Sequence, residues 1–126
     1  MVPAARPTVL LIDEDPDILK LLQCAFADEN LDLICCRTPE DGLAHLAVSE
    51  VRCILLDIHF ARTLECLGFL GAVGRLYGRA APPTLVTSAT TGHEIVRQVL
   101  DLGARKFIPK PFYPREILEE IRTLVT

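Results

Sequence analysis

The sequence predicts an α/β domain built on five parallel strands with helices on both faces of the sheet. Five short apolar runs recur along the chain, and each is followed by a stretch with helical periodicity. The runs are mostly continuous rather than alternating, which is typical of parallel strands that are buried on both faces. Strand and helix therefore alternate along the whole chain.

The predicted strands occupy residues 9–12, 31–36, 53–56, 84–87 and 106–108. Two helix starts are clearly marked between them. Asp15 and Thr38 are capping side chains, and each is followed by a proline, Pro16 or Pro39, at the first helical position. The first and second helices are predicted to begin there.

The fourth and fifth helices have similar signals. Thr91 and Glu94 have the spacing of a capping box, and Gly103 lies where a left-handed residue would end the fourth helix. Pro114 opens the fifth helix, whose apolar face is predicted to point inward. That face comprises Ile117, Leu118, Ile121, Leu124 and Val125.

The third helix, within residues 64–77, is the least regular because it contains Gly68, Gly71 and Gly74. Each glycine costs about 1 kcal/mol relative to alanine inside a helix. A phosphate-binding loop is disfavoured, because the glycines neither follow a strand directly nor have the G-x-G-x-x-G spacing. We expect this helix to be poorly stable or closely packed, and close packing against a neighbour is the preferred interpretation.

Size, charge and cysteine content restrict the class of protein. The chain has 126 residues, half of them apolar, and a net charge of −4 with no run of Lys or Arg, which disfavours direct contact with nucleic acid or a membrane surface. Five cysteines without a C-x-x-C pair are expected to be mostly buried, reduced thiols. No apolar stretch reaches the length of a membrane span, and residues 1–7 lack the apolar core of a signal peptide. We expect a soluble, cytoplasmic protein whose partner is another protein.

Polar residues cluster where the predicted strands end: Asp13, Glu14 and Asp15 after the first, Asp57 at the third, Thr87 and Ser88 at the fourth, and Lys110 after the fifth. In parallel α/β sheets these ends share one edge, where ligands bind. Carboxylates brought together there repel one another unless a cation lies among them, and Mg²⁺ favours such oxygen ligands. A lysine and a hydroxyl facing them would suit phosphoryl oxygens. The combination predicts phosphoryl chemistry.

Each of these residues also has a simpler interpretation. Asp15 and Asp17 could serve only to cap a helix and complement its dipole. Thr87 could be an ordinary strand residue and Lys110 an ordinary surface lysine. Asp57 is different, because a carboxylate at the end of a buried strand is more often functional or paired than idle. The prediction depends on all of these residues meeting at one edge.

Four ordered segments resemble the signatures of the response-regulator receiver domain. They are VLLIDEDP at residues 9–16, ILLD at 54–57, LVTS at 85–88 and FIPKPF at 107–112, and TPEDG at 38–42 resembles the family's entry to the second helix. The resemblance covers one domain over residues 8–125. It implies a doubly wound sheet of the flavodoxin-like type, with strand order 2-1-3-4-5 and five helices.

The resemblance also implies a function in two-component signalling. Asp57 would accept a phosphoryl group from a sensor histidine kinase, a phosphotransfer protein or a small phosphodonor. The domain would catalyse its own phosphorylation and dephosphorylation without being a dedicated enzyme. Mg²⁺ would be held by Asp13, Glu14, Asp57 and the backbone carbonyl of His59.

Further residues acquire roles from the same resemblance. Lys110 would pair with the phosphoryl group, Thr87 would bond to it after phosphorylation, and Phe107 would move inward behind Thr87. A cis peptide bond is expected between Lys110 and Pro111. The fourth helix, fifth strand and fifth helix would signal to a downstream protein or an output domain.

The sequence departs from the family pattern near the acceptor. Glu14 occupies a position that is usually Asp, and residues 58–68 lack the family's usual Met-Pro and Asp-Gly. The positions that tune the lifetime of the phosphoryl group are His59 and Ala89. These departures motivate an alternative, a pseudo-receiver that acts as a phosphorylation-independent interaction module. A phosphatase with an aspartyl-phosphate intermediate is disfavoured, because its second Asp would fall at His59.

Oligomeric state is left open by the sequence. Charged residues on the fourth helix, fifth strand and fifth helix could pair across a homodimer. They are Arg97, Asp101, Arg105, Lys106, Glu119 and Arg122. Exposed charges are ordinarily just solvated, so a homodimer through this face is neither predicted nor excluded.

Overall fold

The structure, a computed structural model, describes residues 6–89 and 92–125. Its strands are β1 (Thr8–Ile12), β2 (Asp32–Cys36), β3 (Cys53–Asp57), β4 (Thr84–Ser88) and β5 (Lys106–Pro109). All neighbouring strands are parallel, and the order in the sheet is β2-β1-β3-β4-β5. The predicted strands and their order are confirmed.

Five α-helices connect or follow the strands. They are α1 (Pro16–Ala25), α2 (Pro39–Val48), α3 (Thr63–Tyr77), α4 (His93–Asp101) and α5 (Pro114–Val125). Short 3₁₀ turns at Phe60–Arg62 and Gly78–Ala80 flank α3. Within the described ranges, none of the helices is long and apolar enough to cross a membrane.

The sheet separates two hydrophobic cores, because successive strand residues point to opposite faces. On one face, Leu10, Ile54 and Val86 pack with α2, α3 and α4. On the other face, Leu11 and Leu55 pack with side chains of α1 and α5. Burial on both faces explains why the strands are continuous apolar runs. The doubly wound α/β fold class predicted from the sequence is confirmed.

The helix boundaries follow the predicted signals. The Asp15 carboxylate accepts a hydrogen bond from the backbone N–H of Asp17 at 2.9 Å, and the Thr38 hydroxyl accepts one from that of Asp41 at 3.1 Å. Gly103 has a φ of 103°, as expected for a left-handed residue after α4. The proposed capping residue Thr91 lies outside the described residues. The Asp15 and Thr38 caps fix where the chain turns from β1 into α1 and from β2 into α2, at the carboxyl edge of the sheet.

The glycines of α3 are not packed against a neighbour, so that interpretation was wrong. α3 is a continuous helix of 15 residues, and a Cβ added at Gly68 or Gly74 would meet no atom within 4 Å. Close approach occurs instead at Gly42 in α2, where a Cβ would lie 2.5 Å from Ile12 Cδ1. Cys66, Phe69, Leu70 and Val73 bury the opposite face of α3. The helix is held by that apolar face.

Replacing Gly68 or Gly74 with alanine is therefore expected to stabilise the protein. Each change removes the backbone entropy cost of a helical glycine and creates no clash, so the free energy of unfolding should rise by up to about 1 kcal/mol. Urea denaturation measures this directly. Gly103→Ala is the control with the opposite sign, because alanine is strained at its positive φ. Loss of stability in Gly68→Ala would contradict the open position of this residue.

The cysteines are all free thiols. Cys36, Cys53 and Cys66 are buried, and Cys35 is half-buried, whereas Cys24 is exposed. Burial raises the pKa of the Cys36 and Cys66 thiols to about 11 and that of Cys53 to about 12. Since the thiolate is the reactive form, these three side chains behave as small core residues, as predicted.

Candidate functional site

Asp57 lies at the carboxyl end of β3 and is the centre of a compact polar cluster. It is only 7% exposed although it carries a carboxylate. Its Oδ1 atom lies 2.8 Å from Lys110 Nζ and accepts a hydrogen bond from the Thr87 hydroxyl at 3.3 Å. Asp57 and Thr87 are direct register partners on β3 and β4, which places both side chains on the same face. The structure therefore brings Asp57, Thr87 and Lys110 together at one edge of the sheet.

Asp13 joins the cluster from the end of β1. Its Oδ1 atom accepts a hydrogen bond from the backbone N–H of Asp15 at 2.9 Å, and its Oδ2 atom lies 3.4 Å from Lys110 Nζ. Lys110 therefore bridges two carboxylates, those of Asp13 and Asp57, from strands that lie side by side. The predicted convergence of charged groups at one edge is present for these residues.

The cluster contains more negative than positive charge. Burial, with a further contribution from the nearby Asp57 charge, raises the pKa of Asp13 from 3.8 to about 6, against the lowering effects of the Asp15 backbone and Lys110. Burial acts to lower the pKa of Lys110, but its hydrogen bonds and charge interactions with Asp57 and Asp13 outweigh this and raise it. One ammonium faces two carboxylates, which is the situation that an added cation relieves.

Backbone contacts hold the loops around the cluster. The Ser88 hydroxyl donates to the Ile58 carbonyl at 3.1 Å, and the Ile58 N–H donates to the Thr87 carbonyl at 2.8 Å. The Lys110 N–H donates to the Ser88 carbonyl at 2.9 Å. The ends of β3, β4 and β5 are thus linked directly, so that Asp57, Thr87 and Lys110 are held on a rigid frame.

Glu14 behaves differently from Asp13. Its Oε2 atom lies 3.4 Å from both Arg62 Nε and His59 Nδ1, but this enclosed oxygen accepts no hydrogen bond. The Arg37 guanidinium donates to the Glu14 backbone carbonyl at 3.0 Å. Arg62 also contacts Glu65, with Nη1 and Oε2 3.2 Å apart. The Glu14 carboxylate is therefore directed toward the loop that follows β3.

The three acidic side chains near the cluster differ in how well they are placed to bind a metal ion. In the described part of the chain, no three His, Cys, Asp or Glu side chains are arranged to hold a metal ion together. Asp13 and Asp57 nevertheless offer buried carboxylate oxygens beside each other, and Mg²⁺ commonly binds through one or two carboxylates with water and phosphate as its other ligands. The pair fits such an ion, with Glu14 close by in sequence but turned aside.

Comparison with known proteins identifies the family. A sequence model of the response regulator receiver domain matches residues 9–122. The chain belongs to this family. It is the receiver domain of a two-component response regulator, and the site described above lies at the carboxyl edge of its sheet.

Individual relatives support the assignment. The transcriptional regulatory protein KdpE of Mycobacterium tuberculosis is 30% identical over 117 residues, which cover 93% of this chain and 50% of KdpE. The transcriptional regulatory protein AruR of Pseudomonas aeruginosa is 30% identical over an alignment that covers 97% of this chain and 50% of AruR. The receiver domain thus spans about half the length of the curated relatives it matches.

Solved structures share the fold. A CheY-like response regulator receiver domain protein from Methanospirillum hungatei superposes with a TM-score of 0.83 at 25% identity, covering 93% of this chain and 91% of that one. The signal receiver domain of an HD domain-containing protein from Pseudomonas fluorescens gives a TM-score of 0.86 at 20% identity, covering 99% and 90% of the two chains. The second likeness concerns the fold alone.

Other predicted residues of the receiver domain are found around the cluster. The Lys110–Pro111 peptide bond is cis, as expected. Phe107 lies on β5 as the register partner of Val86 and is half-buried against the core on the α4 side of the sheet. His59 and Ala89 follow β3 and β4 and are exposed. Arg62, which contacts Glu14, is not predicted from the sequence, where its only signal is a positive charge in the atypical loop after β3.

Charged residues of α4, β5 and α5 are paired mainly within the domain. Arg97 lies 3.8 Å from Asp101 within α4, and Lys106 on β5 contacts Glu120 on α5 at 2.6 Å. Arg122 contacts Glu29, which follows α1. Arg97, Lys106 and Arg122 therefore each have a carboxylate partner within the chain.

Proposed function

We propose that this receiver domain is a Mg²⁺-dependent phosphoacceptor switch in which Asp57 takes a phosphoryl group from a phosphohistidine. The observation that carries the proposal is the contact of the buried Asp57 carboxylate with Lys110 and Thr87, beside the second buried carboxylate, Asp13. Such an arrangement provides a nucleophile, a cation and a hydroxyl donor at one point. The phosphodonor would be a sensor histidine kinase or a phosphotransfer protein.

In the reaction, a carboxylate oxygen of Asp57 attacks phosphorus while the bond from phosphorus to the donor nitrogen breaks. The product is an acyl phosphate on Asp57 and a free histidine on the donor. Lys110 neutralises charge on the phosphoryl oxygens, which is the main requirement in phosphoryl transfer. Asp13 and Asp57, with Glu14 and the His59 carbonyl as the remaining groups, would hold Mg²⁺, which supplies further neutralisation of that charge. Attack of water on the acyl phosphate would reverse the switch without a dedicated enzyme.

Signalling would follow from the added charge. Phosphorylation adds about −1.5 to −2 charges at Asp57, and the Thr87 hydroxyl, already directed at this residue, would turn to the phosphoryl group. Phe107, half-buried on the next strand, would move into the space behind Thr87. The face formed by α4, β5 and α5 would then present a changed surface to a downstream protein, an output domain or a second copy of the chain. We propose that the domain acts in the cytoplasm through protein partners, without direct contact to nucleic acid or membrane.

A second candidate is the pseudo-receiver, an interaction module with the same fold and no efficient phosphorylation. The observation that favours it is the pairing of Glu14 with Arg62 and His59, which directs this carboxylate away from Asp13 and Asp57. A site with only two carboxylates would bind Mg²⁺ more weakly than one with three. Phosphorylation itself decides between the two candidates.

Incubation with a small phosphodonor, with and without Mg²⁺, tests the proposal through the intact mass of the protein. We expect one added phosphoryl group on the wild-type chain in Mg²⁺, none in chelator, and none on Asp57→Asn under either condition. Circular dichroism checks that the variant is folded. A folded wild-type chain that remains unmodified by both the small donor and a cognate kinase would establish the pseudo-receiver instead.

A further inference from the structure

We infer that Arg62 is a positioning residue that sets the affinity of the site for Mg²⁺ by competing with the cation for the Glu14 carboxylate. The inference rests on the proposed function, because it concerns the metal of the same site. Arg62 lies in the short 3₁₀ turn between β3 and α3 and matches no motif of the family in this sequence. Its role would be specific to a chain with the longer Glu side chain at position 14.

The Glu14 carboxylate lies beside Arg62 and not in the cluster with Asp13 and Asp57. Glu14 directly follows Asp13, whose carboxylate lies in the cluster with Lys110, yet the Glu14 Oε2 atom lies 3.4 Å from Arg62 Nε. His59 Nδ1 lies at the same distance from this oxygen, so two nitrogen-bearing side chains of one loop face it. In the described ranges Glu14 forms no metal-holding group with Asp13 and Asp57. Its charge is already partly neutralised without a cation.

The ion pair between Glu14 and Arg62 is weak enough for a cation to replace Arg62. Glu14 Oε2 is enclosed but accepts no hydrogen bond, so the ion pair lacks the geometry that makes such pairs strong. Arg62 has a second carboxylate partner, Glu65, at 3.2 Å, to which it can remain bound when Glu14 leaves. Both Glu14 and Arg62 are 36% exposed, so solvent screens the pair. A divalent cation can therefore displace Arg62 from Glu14. The free energy of cation binding is then reduced by the loss of the ion pair.

The backbone around Glu14 allows this exchange. Arg37 holds the Glu14 carbonyl at 3.0 Å, and Asp15, the next residue, is fixed by its N–H donating to Asp13 at 2.9 Å. The main chain at position 14 is thus anchored on both sides, and only the side chain needs to change rotamer. The competition is between two positions of one flexible carboxylate.

Titration of the intact chain with Mg²⁺ alone, with the heat of binding measured by calorimetry, tests the inference. Arg62→Gln frees Glu14, and we expect the dissociation constant for Mg²⁺ to fall about two- to fivefold, as for loss of a partly exposed ion pair. Arg97→Gln, which removes an equal charge from the outer face of α4, should leave the constant unchanged within error. Equal thermal stability of both variants in chelator excludes a general disturbance of the fold.

A double-mutant cycle shows whether Arg62 acts through Glu14 or through its charge alone. In a Glu14→Gln background the substitution Arg62→Gln should no longer tighten Mg²⁺ binding. An equal increase in Mg²⁺ affinity in both backgrounds would overturn the inference. Unchanged or weaker Mg²⁺ binding by the single variant Arg62→Gln would overturn it as well. In either case, Mg²⁺ binding by the wild type would leave the proposed function standing. Failure of the wild type to bind Mg²⁺ would overturn both.

Discussion

Lys110→Met is expected to slow phosphorylation of Asp57 by about 100-fold or more, the usual cost of losing one preorganised group that stabilises transition-state charge. The Lys110 ammonium lies 2.8 Å from the Asp57 carboxylate and approaches it from the residue that follows β5. Methionine has a similar length and no charge, so the change removes the cation with little change in volume. The rate is measured as the appearance of phosphorylated protein by intact mass with a small donor in saturating Mg²⁺.

The matched control is Lys20→Met, which removes an exposed lysine from α1. We expect its rate to equal that of the wild type. Lys110→Met must also remain folded, because without the ammonium two buried carboxylates face each other, and loss of one partner from such a group destabilises a protein. A folded Lys110→Met protein that is phosphorylated at the wild-type rate would contradict the role assigned to Lys110.

Asp13→Asn is expected to stabilise the protein in chelator at pH 7 by about 3 kcal/mol, while weakening its binding of Mg²⁺. The pKa of Asp13 rises from 3.8 to about 6 on folding, mainly because of burial. Between these pH values the folded chain binds a proton that the unfolded chain lacks, so stability contributed by Asp13 falls as the pH rises through this window. Asparagine keeps the shape, including an oxygen for the Asp15 N–H, and removes the charge.

The pH dependence of the free energy of unfolding distinguishes this effect of the Asp13 charge from a change in packing. The stability of wild type and Asp13→Asn should converge below about pH 4 and differ fully above about pH 6. Urea denaturation at several pH values in chelator measures the difference, and saturating Mg²⁺ should reverse it by binding the wild type more tightly. A pH-independent difference would show that the Asp13 charge is not the cause.

Much of the fold followed from local rules in the sequence. Continuous apolar runs such as residues 53–56 specified buried parallel strands, and Asp15 and Thr38 marked helix starts that the structure reproduces. The polar cluster followed as well, because parallel strands bring their carboxyl ends to one edge. Asp57, Thr87 and Lys110 therefore meet although 30 residues separate the first two.

Other features depended on information that the sequence pattern does not contain. Gly68 and Gly74 were interpreted as packing glycines, but which face of α3 they occupy depends on the rotation of the helix against the sheet. The orientation of the Glu14 carboxylate depends on its side-chain rotamer and on its contact with Arg62. Arg62 is 48 positions away in the sequence, and its charge alone does not indicate which carboxylate it contacts. Surface ion pairs of this kind follow from the assembled fold.

Chemical reduction of the acyl phosphate identifies directly the residue that carries the phosphoryl group. Wild-type protein phosphorylated in Mg²⁺ is reduced with borohydride, which converts an aspartyl phosphate to homoserine, and its peptides are mapped by mass spectrometry. We expect homoserine at position 57 and at no other acidic position, including Asp13 and its neighbours. Unreduced Asp57 in a protein that carries a phosphoryl group, or reduction at another position, would contradict it.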